Sequence, residues 1–433
     1  MDSSPEQQLL FHARASTKTH CLDQPRSITG APTSTSDHTW CLVRIARMES
    51  KLVLLLLFSL LCRQVKSSSL EEDLQIEEKL RRLNKPAVKT IQTEYGDSYD
   101  CVDFHKQPAF DHPLLKNHSF HFNMRPSSRP KRSTNLERSS ASGVKSASIK
   151  RLDCPIGTVP IRRTSKEELI AAKMQAKVLA LNADPNTQES PGNHFAVVRT
   201  KFDSGRRYDG GGMISTVEKP PCQGSQYTGG RIKISSLAEY IQAGWIVNPS
   251  LYSDDQTHLF ILTGASCFNT QCGFVLVCAD HPVDAVLQPV SQNPKPVYTY
   301  NFFIYRDPLS GSWWLELGED YSPVGFWPKA LFAERGFPHV GLRDLATHVE
   351  WGGLVYSPLD IPSPPMGRAT EPHDEASCWD MTTINGNHET EAAGDTETYV
   401  DQDKYYGVED LGHQDAPLHR AMKYGGAGGA TGA

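Results

Sequence analysis

Some familiar nucleophile and metal patterns are missing from this chain. No serine or cysteine sits in a G-x-S-x-G elbow, and no H-E-x-x-H run offers a pair of zinc-binding histidines. His194 and His348 could serve as bases, but neither has such a nucleophile to activate. Cys267 and Cys272 enclose four residues, FNTQ, a spacing suited to a local disulfide across a tight loop. Zinc is the competing reading for this pair. No further His or Cys pair completes a ligand set at zinc spacing, so the disulfide is favoured and neither metal nor cofactor is expected.

The elements that would have to position any site are β-strands. Gly and Pro number 32 and 29, and 15 Tyr and 7 Trp accompany them, which favours strands and turns over helix bundles. Beyond Gly192 short alternating segments recur: HFAVVRT, GMISTV, RIKIS, GWIV, HLFILTG, GFVLVC, VYTYNFFIYR, SWWLELG and HVEWGGLVY. Gly, Pro, Asn and Asp clusters separate them, as in an antiparallel sandwich or barrel. Two helices precede them. Residues 69–92 carry apolar side chains at helical spacing as far as Pro86, and Ser165 with Glu168 makes a capping box for a helix over Lys166–Leu181. Pro358 to Pro372 reads as a loop, and the tail beyond it as acidic, then Gly-rich and partly mobile. With a formal net charge of -6, no basic field is present to hold nucleic acid.

Met48 opens a secretory pattern. A basic start, the apolar run Leu52–Cys62 and a small polar exit through Ser69 describe a signal peptide over 48–68, too short to span a membrane. Residues 1–47 then read as a disordered upstream extension. A signal anchor with a short cytoplasmic tail is the alternative. Secretion implies that Cys101, Cys154, Cys222, Cys267, Cys272, Cys278 and Cys378 should pair with one left over. It also makes Asn117-His-Ser a glycosylation acceptor. Residues 133–150 complete a Ser-rich disordered linker, and Arg129-Pro-Lys-Arg132 before it is either a processing site or plain solvated chain.

Several blocks resemble the neprosins, a family of plant proline-directed glutamic peptidases. The segment from Lys85 to His118 looks like the family's activation propeptide, and CPIGTVPIRRT from Cys154 like the start of its mature domain. Gln242-Ala-Gly-Trp-Ile-Val-Asn-Pro-Ser-Leu-Tyr252, the Cys267–Cys272 loop, Ser312-Trp-Trp, Gly325-Phe-Trp-Pro, Glu350-Trp-Gly-Gly and Tyr424-Gly-Gly follow in the family's order. The resemblance implies an all-β antiparallel β-sandwich over 151–426, preceded by a propeptide over 69–132 with a short helix, and followed by a Gly-rich tail over 427–433. It also implies a secreted zymogen whose partners are peptide substrates and its own propeptide, with no stable membrane anchor.

In that family two glutamates work as an acid/base pair, one before A-G-W and one before W-G-G. Here the positions hold Gln242 and Glu350. Glutamine cannot share a proton, so Glu350 would do the acid and base work while Gln242 donates its amide to an oxyanion and orients water. Fungal eqolisins use such a Gln/Glu pair. Trp245 and Trp351 flank the pair and could offer ring surface for proline, with core packing, the commoner fate of a strand aromatic, as the alternative. The loop before Cys267 is shorter than the aromatic-rich neprosin stretch. Two functions follow: an acid-acting glutamic endopeptidase, or an extracellular binding protein on the same fold.

Overall fold

Strands that alternate apolar and polar side chains bury one face each, and here two sheets do so against one another. The chain is described by a computed structural model over residues 71–132, 144–180, 192–202, 205–236, 239–264, 267–292, 296–332, 341–368 and 375–429. The expected signal segment and the extension before it lie outside the described residues, as does most of the linker over 133–150.

Among the described residues, two large sheets form, the first of seven strands. Its order is β12 (Cys267–Phe268), β11 (Thr257–Thr263), β10 (Glu239–Val247), β9 (Tyr227–Ser236), β18 (His348–Tyr356), β7 (Asn193–Thr200) and β21 (Thr396–Val400). The second has eleven. Along its main path run β13 (Val275–Leu276), β17 (Ser322–Trp327), β16 (Trp313–Leu317), β15 (Val297–Arg306), β8 (Gly210–Thr216), β19 (Ala376–Ile384), β20 (Glu389–Ala392) and β3 (Lys131–Arg132). Off this path β4 (Val144–Ser146) pairs with β15, β23 (Arg420–Gly425) with β19, and β22 (Gly407–His413) with β23. All these pairings are antiparallel except β4 on β15 and β3 on β20.

The sandwich core lies between the two sheets. Ile232, Ile234, Ala243, Val349 and Val198 face it from the first, and Met213, Phe302, Ile304 and Leu315 from the second. Indole N–H groups stitch across: Trp245 donates to Ser215 Oγ at 3.2 Å, and Trp351 to the Gly212 carbonyl at 3.0 Å. Both sheets continue into the tail. Strands β19 to β23 occupy the region expected to be partly mobile, and β19 is an interior strand of the second sheet. Most of these strands carry Thr, Glu and Asp on a half-exposed face, so their composition imitates a loop.

A small three-stranded sheet stands apart: β1 (Ala87–Gln92), β2 (Ser98–Asp103) and β6 (Thr158–Arg162). The pair β5 (Ser148–Ile149) and β14 (Leu287–Gln288) joins the same amino-terminal stretch to the sandwich. Helix α1 covers 71–83 and stops before Pro86. Helix α2 (Lys166–Ala180) starts on its capping box: Ser165 Oγ accepts from the Glu168 N–H at 3.1 Å, and Glu168 Oε2 from the Ser165 N–H at 2.9 Å. Helix α3 (Pro249–Tyr252) is one turn after Asn248. No described helix is long and apolar enough to cross a membrane.

Cysteine pairing differs from expectation. Cys101 and Cys154 are bonded, tying β2 to the segment before β6. Cys222, Cys278 and Cys378 are free thiols. Cys378 is fully buried in the core, where it packs as a small apolar side chain. Cys267 is disulfide-bonded, while the side chain of its expected partner Cys272 lies outside what is described.

Candidate active site

Register across the first sheet decides which side chains meet. On β10, Gln242 stands opposite Lys233 of β9, and on β18 Glu350 stands opposite the same Lys233. Directly opposed residues share a face, so Gln242, Lys233 and Glu350 form one row. The row continues through Arg199 of β7 to Glu397 of β21, and on the other side to Leu262 of β11. Gln242 and Glu350 are thus two strands apart, about 10 Å between Cα atoms at ordinary strand spacing. They look out from the sheet face turned away from the second sheet. Glu239, three residues before Gln242, accepts from the Leu342 N–H at 2.9 Å instead.

The row alternates in charge. Arg199 Nε donates to Glu397 Oε1 at 2.9 Å, and its guanidinium lies 4.3 Å from the centroid of the Tyr399 ring. Arg231, two residues before Lys233, donates through Nη2 to Glu350 Oε1. Its neighbour on β10 is Gly244, the glycine of the A-G-W block. A Cβ at Gly244 would sit 2.1 Å from the Gly230 carbonyl oxygen and 2.8 Å from Arg231 Cα, so the glycine permits the close approach of β9, the strand that carries the arginine holding Glu350.

These charges set the protonation states. Burial raises the pKa of Glu350, but Arg231, Lys233 and His348 outweigh it, and the carboxyl is held far below the usual range. Burial lowers the pKa of Lys233, and Arg231 and Arg199 add to this while Glu350 opposes. Lys233 Nζ lies 5.4 Å from the centroid of the Tyr240 ring. His348, two residues before Glu350, is pushed down to about 4, first by burial. Phe202 stacks on it at 4.2 Å. Gln242 is 5% exposed, and its Oε1 is buried without a hydrogen-bond partner.

The two tryptophans expected to line the cleft do not. Trp245 lies three residues after Gln242 and Trp351 one after Glu350, so alternation turns both into the intersheet core, where each is 0% exposed. Aromatic surface near Glu350 comes instead from Phe202, which is 55% exposed, and from half-buried Tyr399. His194 also faces the core and contacts Asp401 Oδ2 at 2.8 Å through Nδ1, away from the pair. Asn117 is exposed in a turn.

Sequence reading missed Arg199, Arg231, Lys233 and Glu397. The signal was present in R-I-K-I-S, where cations alternate with core residues along a strand, each able to face an acid on a neighbouring strand. Among the described residues, one group could hold a metal ion. Cys278, Asp280 and His281 bring a ligand atom each within 4.8 Å of one another, where they hydrogen-bond among themselves. Burial pushes the Cys278 thiol up to about 11, so it is no ready nucleophile.

The fold is thus a β-sandwich with a buried carboxylate and a glutamine on one outer face. The Neprosin family model matches residues 224–427, and the Neprosin activation peptide model matches residues 90–199. The chain belongs to the neprosin family, with a neprosin domain and an activation peptide before it. The activation-peptide match extends past the expected boundary at 132, through β6 and α2, and ends in β7. A crystal structure of scytalido-glutamic peptidase with a transition state analog inhibitor is similar with a TM-score of 0.32 and 10% identity, covering 54% of this chain and 97% of that one.

Proposed function

We propose that this protein is a glutamic endopeptidase of the neprosin type, secreted, made as a zymogen and working on peptide bonds near proline at acidic pH. One observation carries the reading: Gln242 and Glu350 share a row on one face of the first sheet. Glu350 is the base that takes a proton from water and then passes it to the leaving nitrogen. The amide N–H groups of Gln242 donate to the developing oxyanion, and its unpartnered Oε1 is free to orient the water. An ordinary glutamate is half protonated near 4.5, whereas ion pairing keeps Glu350 charged well below that, as a base working in acid requires. Tyr399 and Phe202 supply the ring surface for proline.

Helix α2 supports the zymogen reading. It lies within the activation-peptide match, and its Ala172 packs with Tyr240, Leu262 and Phe268 beside Gln242. Exposed Asn117 is the glycan acceptor of the secreted chain. A second reading, a peptide-binding protein without turnover, is favoured by the Arg231–Glu350 ion pair, because a carboxylate held so low is a weak base.

The test compares the secreted parent with Glu350→Gln on a quenched peptide library with proline at varied positions, across acidic to neutral pH. The peptidase reading expects cleavage by the parent and a loss of about a hundredfold or more in the variant. Peptide binding without cleavage by either protein, once the propeptide has been removed by processing, would establish the second reading.

A further inference from the structure

The outer face of the second sheet carries a second, differently built groove. Gly211 of β8 faces the first sheet, since a Cβ there would meet Val349 and Ile232. Gly212 therefore faces away, and Phe303, Glu316 and Thr382 stand in its row on β15, β16 and β19. Three carboxylates are buried around this face: Asp307 at 2% exposure, Glu316 at 2% and Asp380 at 5%. Beside them is a cavity of about 240 Å³ between Arg129, Arg132, Met213, Phe303, Tyr321 and Thr382.

The chain fills this groove with its own residues 127–132, laid out as an extended peptide. Ser127 donates through both N–H and Oγ to Asp307 Oδ1, at 2.6 Å each. Arg129 Nη2 pairs with Glu316 Oε2, whose other oxygen accepts from the Tyr305 hydroxyl at 2.8 Å. The Arg129 guanidinium lies 5.6 Å from the Tyr321 ring centroid. Arg132 Nη2 donates to Asp380 Oδ2 at 2.6 Å. Backbone joins in: the Lys131 N–H donates to the His388 carbonyl at 3.0 Å, and β3 adds in parallel to the edge of β20. Strand addition gives such a site general affinity for extended backbone, and placed carboxylates give it selectivity for arginine.

We propose that this groove is a docking site for extended arginine-bearing segments of other proteins, with residues 127–132 as its resident occupant. Two arginines three positions apart meet Glu316 and Asp380, and a hydroxyl residue two positions before the first arginine meets Asp307. Emptying the groove would take Arg129 from buried Glu316, Arg132 from buried Asp380 and Ser127 from buried Asp307, a costly loss of charge pairing that favours a cationic replacement. The proposal is independent of the chemistry at Glu350, because the two sites occupy opposite outer faces of the sandwich.

The test vacates the groove in the full chain with Arg129→Ala and Arg132→Ala together, and titrates in a fluorescent peptide Ser-Ser-Arg-Pro-Lys-Arg-Ser. Saturable binding is expected to the vacated chain, and to the parent only at far higher peptide concentration, where the resident segment is displaced. Adding Glu316→Gln or Asp380→Asn to the vacated chain should weaken it about thirtyfold or more, and a peptide with alanine for both arginines should not bind. A folded vacated chain that ignores the peptide, or binds it equally without the carboxylates, overturns the proposal. If the vacated chain does not fold, amide exchange at Lys131 is followed in the parent under excess peptide. Faster exchange supports displacement of the resident segment, and unchanged exchange overturns the proposal.

Discussion

At the scale of single residues, the site is governed by charge pairing across strands. Glu350 keeps its charge because Arg231 reaches it, and the β9 backbone that carries Arg231 lies close against β10 because Gly244 stands opposite. His348 bears the opposite consequence. In the folded protein it takes a proton only near 4, against 6.5 when unfolded, because it is buried beside cations. The unfolded chain therefore binds the extra proton between those values, and stability falls as pH drops from 6.5 to about 4. The expected contribution is about 3 kcal/mol over that window. Replacing it by His348→Phe should flatten the urea-midpoint profile there. A variant that loses stability in parallel with its parent would show that other groups set the acid response.

At the scale of elements, α2 is anchored by one carboxylate with two tasks. Glu168 closes the capping box and also accepts from Arg162 Nη2 at 2.8 Å, while Arg162 Nε donates to Asp97 Oδ1 at 2.7 Å. All three side chains are largely buried, so this ion pairing is poorly screened. Ser165→Ala removes one cap and should cost about 1 kcal/mol. Glu168→Ala removes the cap and leaves Arg162 short of a buried partner, so a loss of about 3–5 kcal/mol is expected. Equal denaturation midpoints for the two variants would contradict this division. The capping box was legible in sequence because it is local. Arg162 was not, since its partners Asp97 and Glu168 are brought together only by the three-stranded sheet.

At the scale of the whole molecule, the amino-terminal segment is joined to the sandwich at several places: the β5–β14 pair, the groove holding residues 127–132, and α2 over the Gln242 end of the first sheet. Within that segment the Cys101–Cys154 bond closes a loop of 53 residues. By chain entropy, replacing both cysteines with serine should cost about 4 kcal/mol. A urea midpoint unchanged by the double replacement would show that the strand pairing of β2 with β6 already holds the segment.

Much of the architecture could be read from local pattern. Alternation marked nine of the strands, Ser165 and Glu168 marked the start of α2, and ordered blocks around Gln242, Glu350 and the tryptophans carried the family resemblance. Strands β20 to β22 escaped because half-exposed strands rich in Thr, Glu and Asp share the composition of loops. What local pattern could not supply was register. Whether Gln242 and Glu350 meet, which cations stand between and beside them, and that Trp245 and Trp351 turn into the core all depend on pairings between strands distant in sequence. A shift of one residue in any pairing would send each side chain to the other face, so only the assembled sheet decides the site.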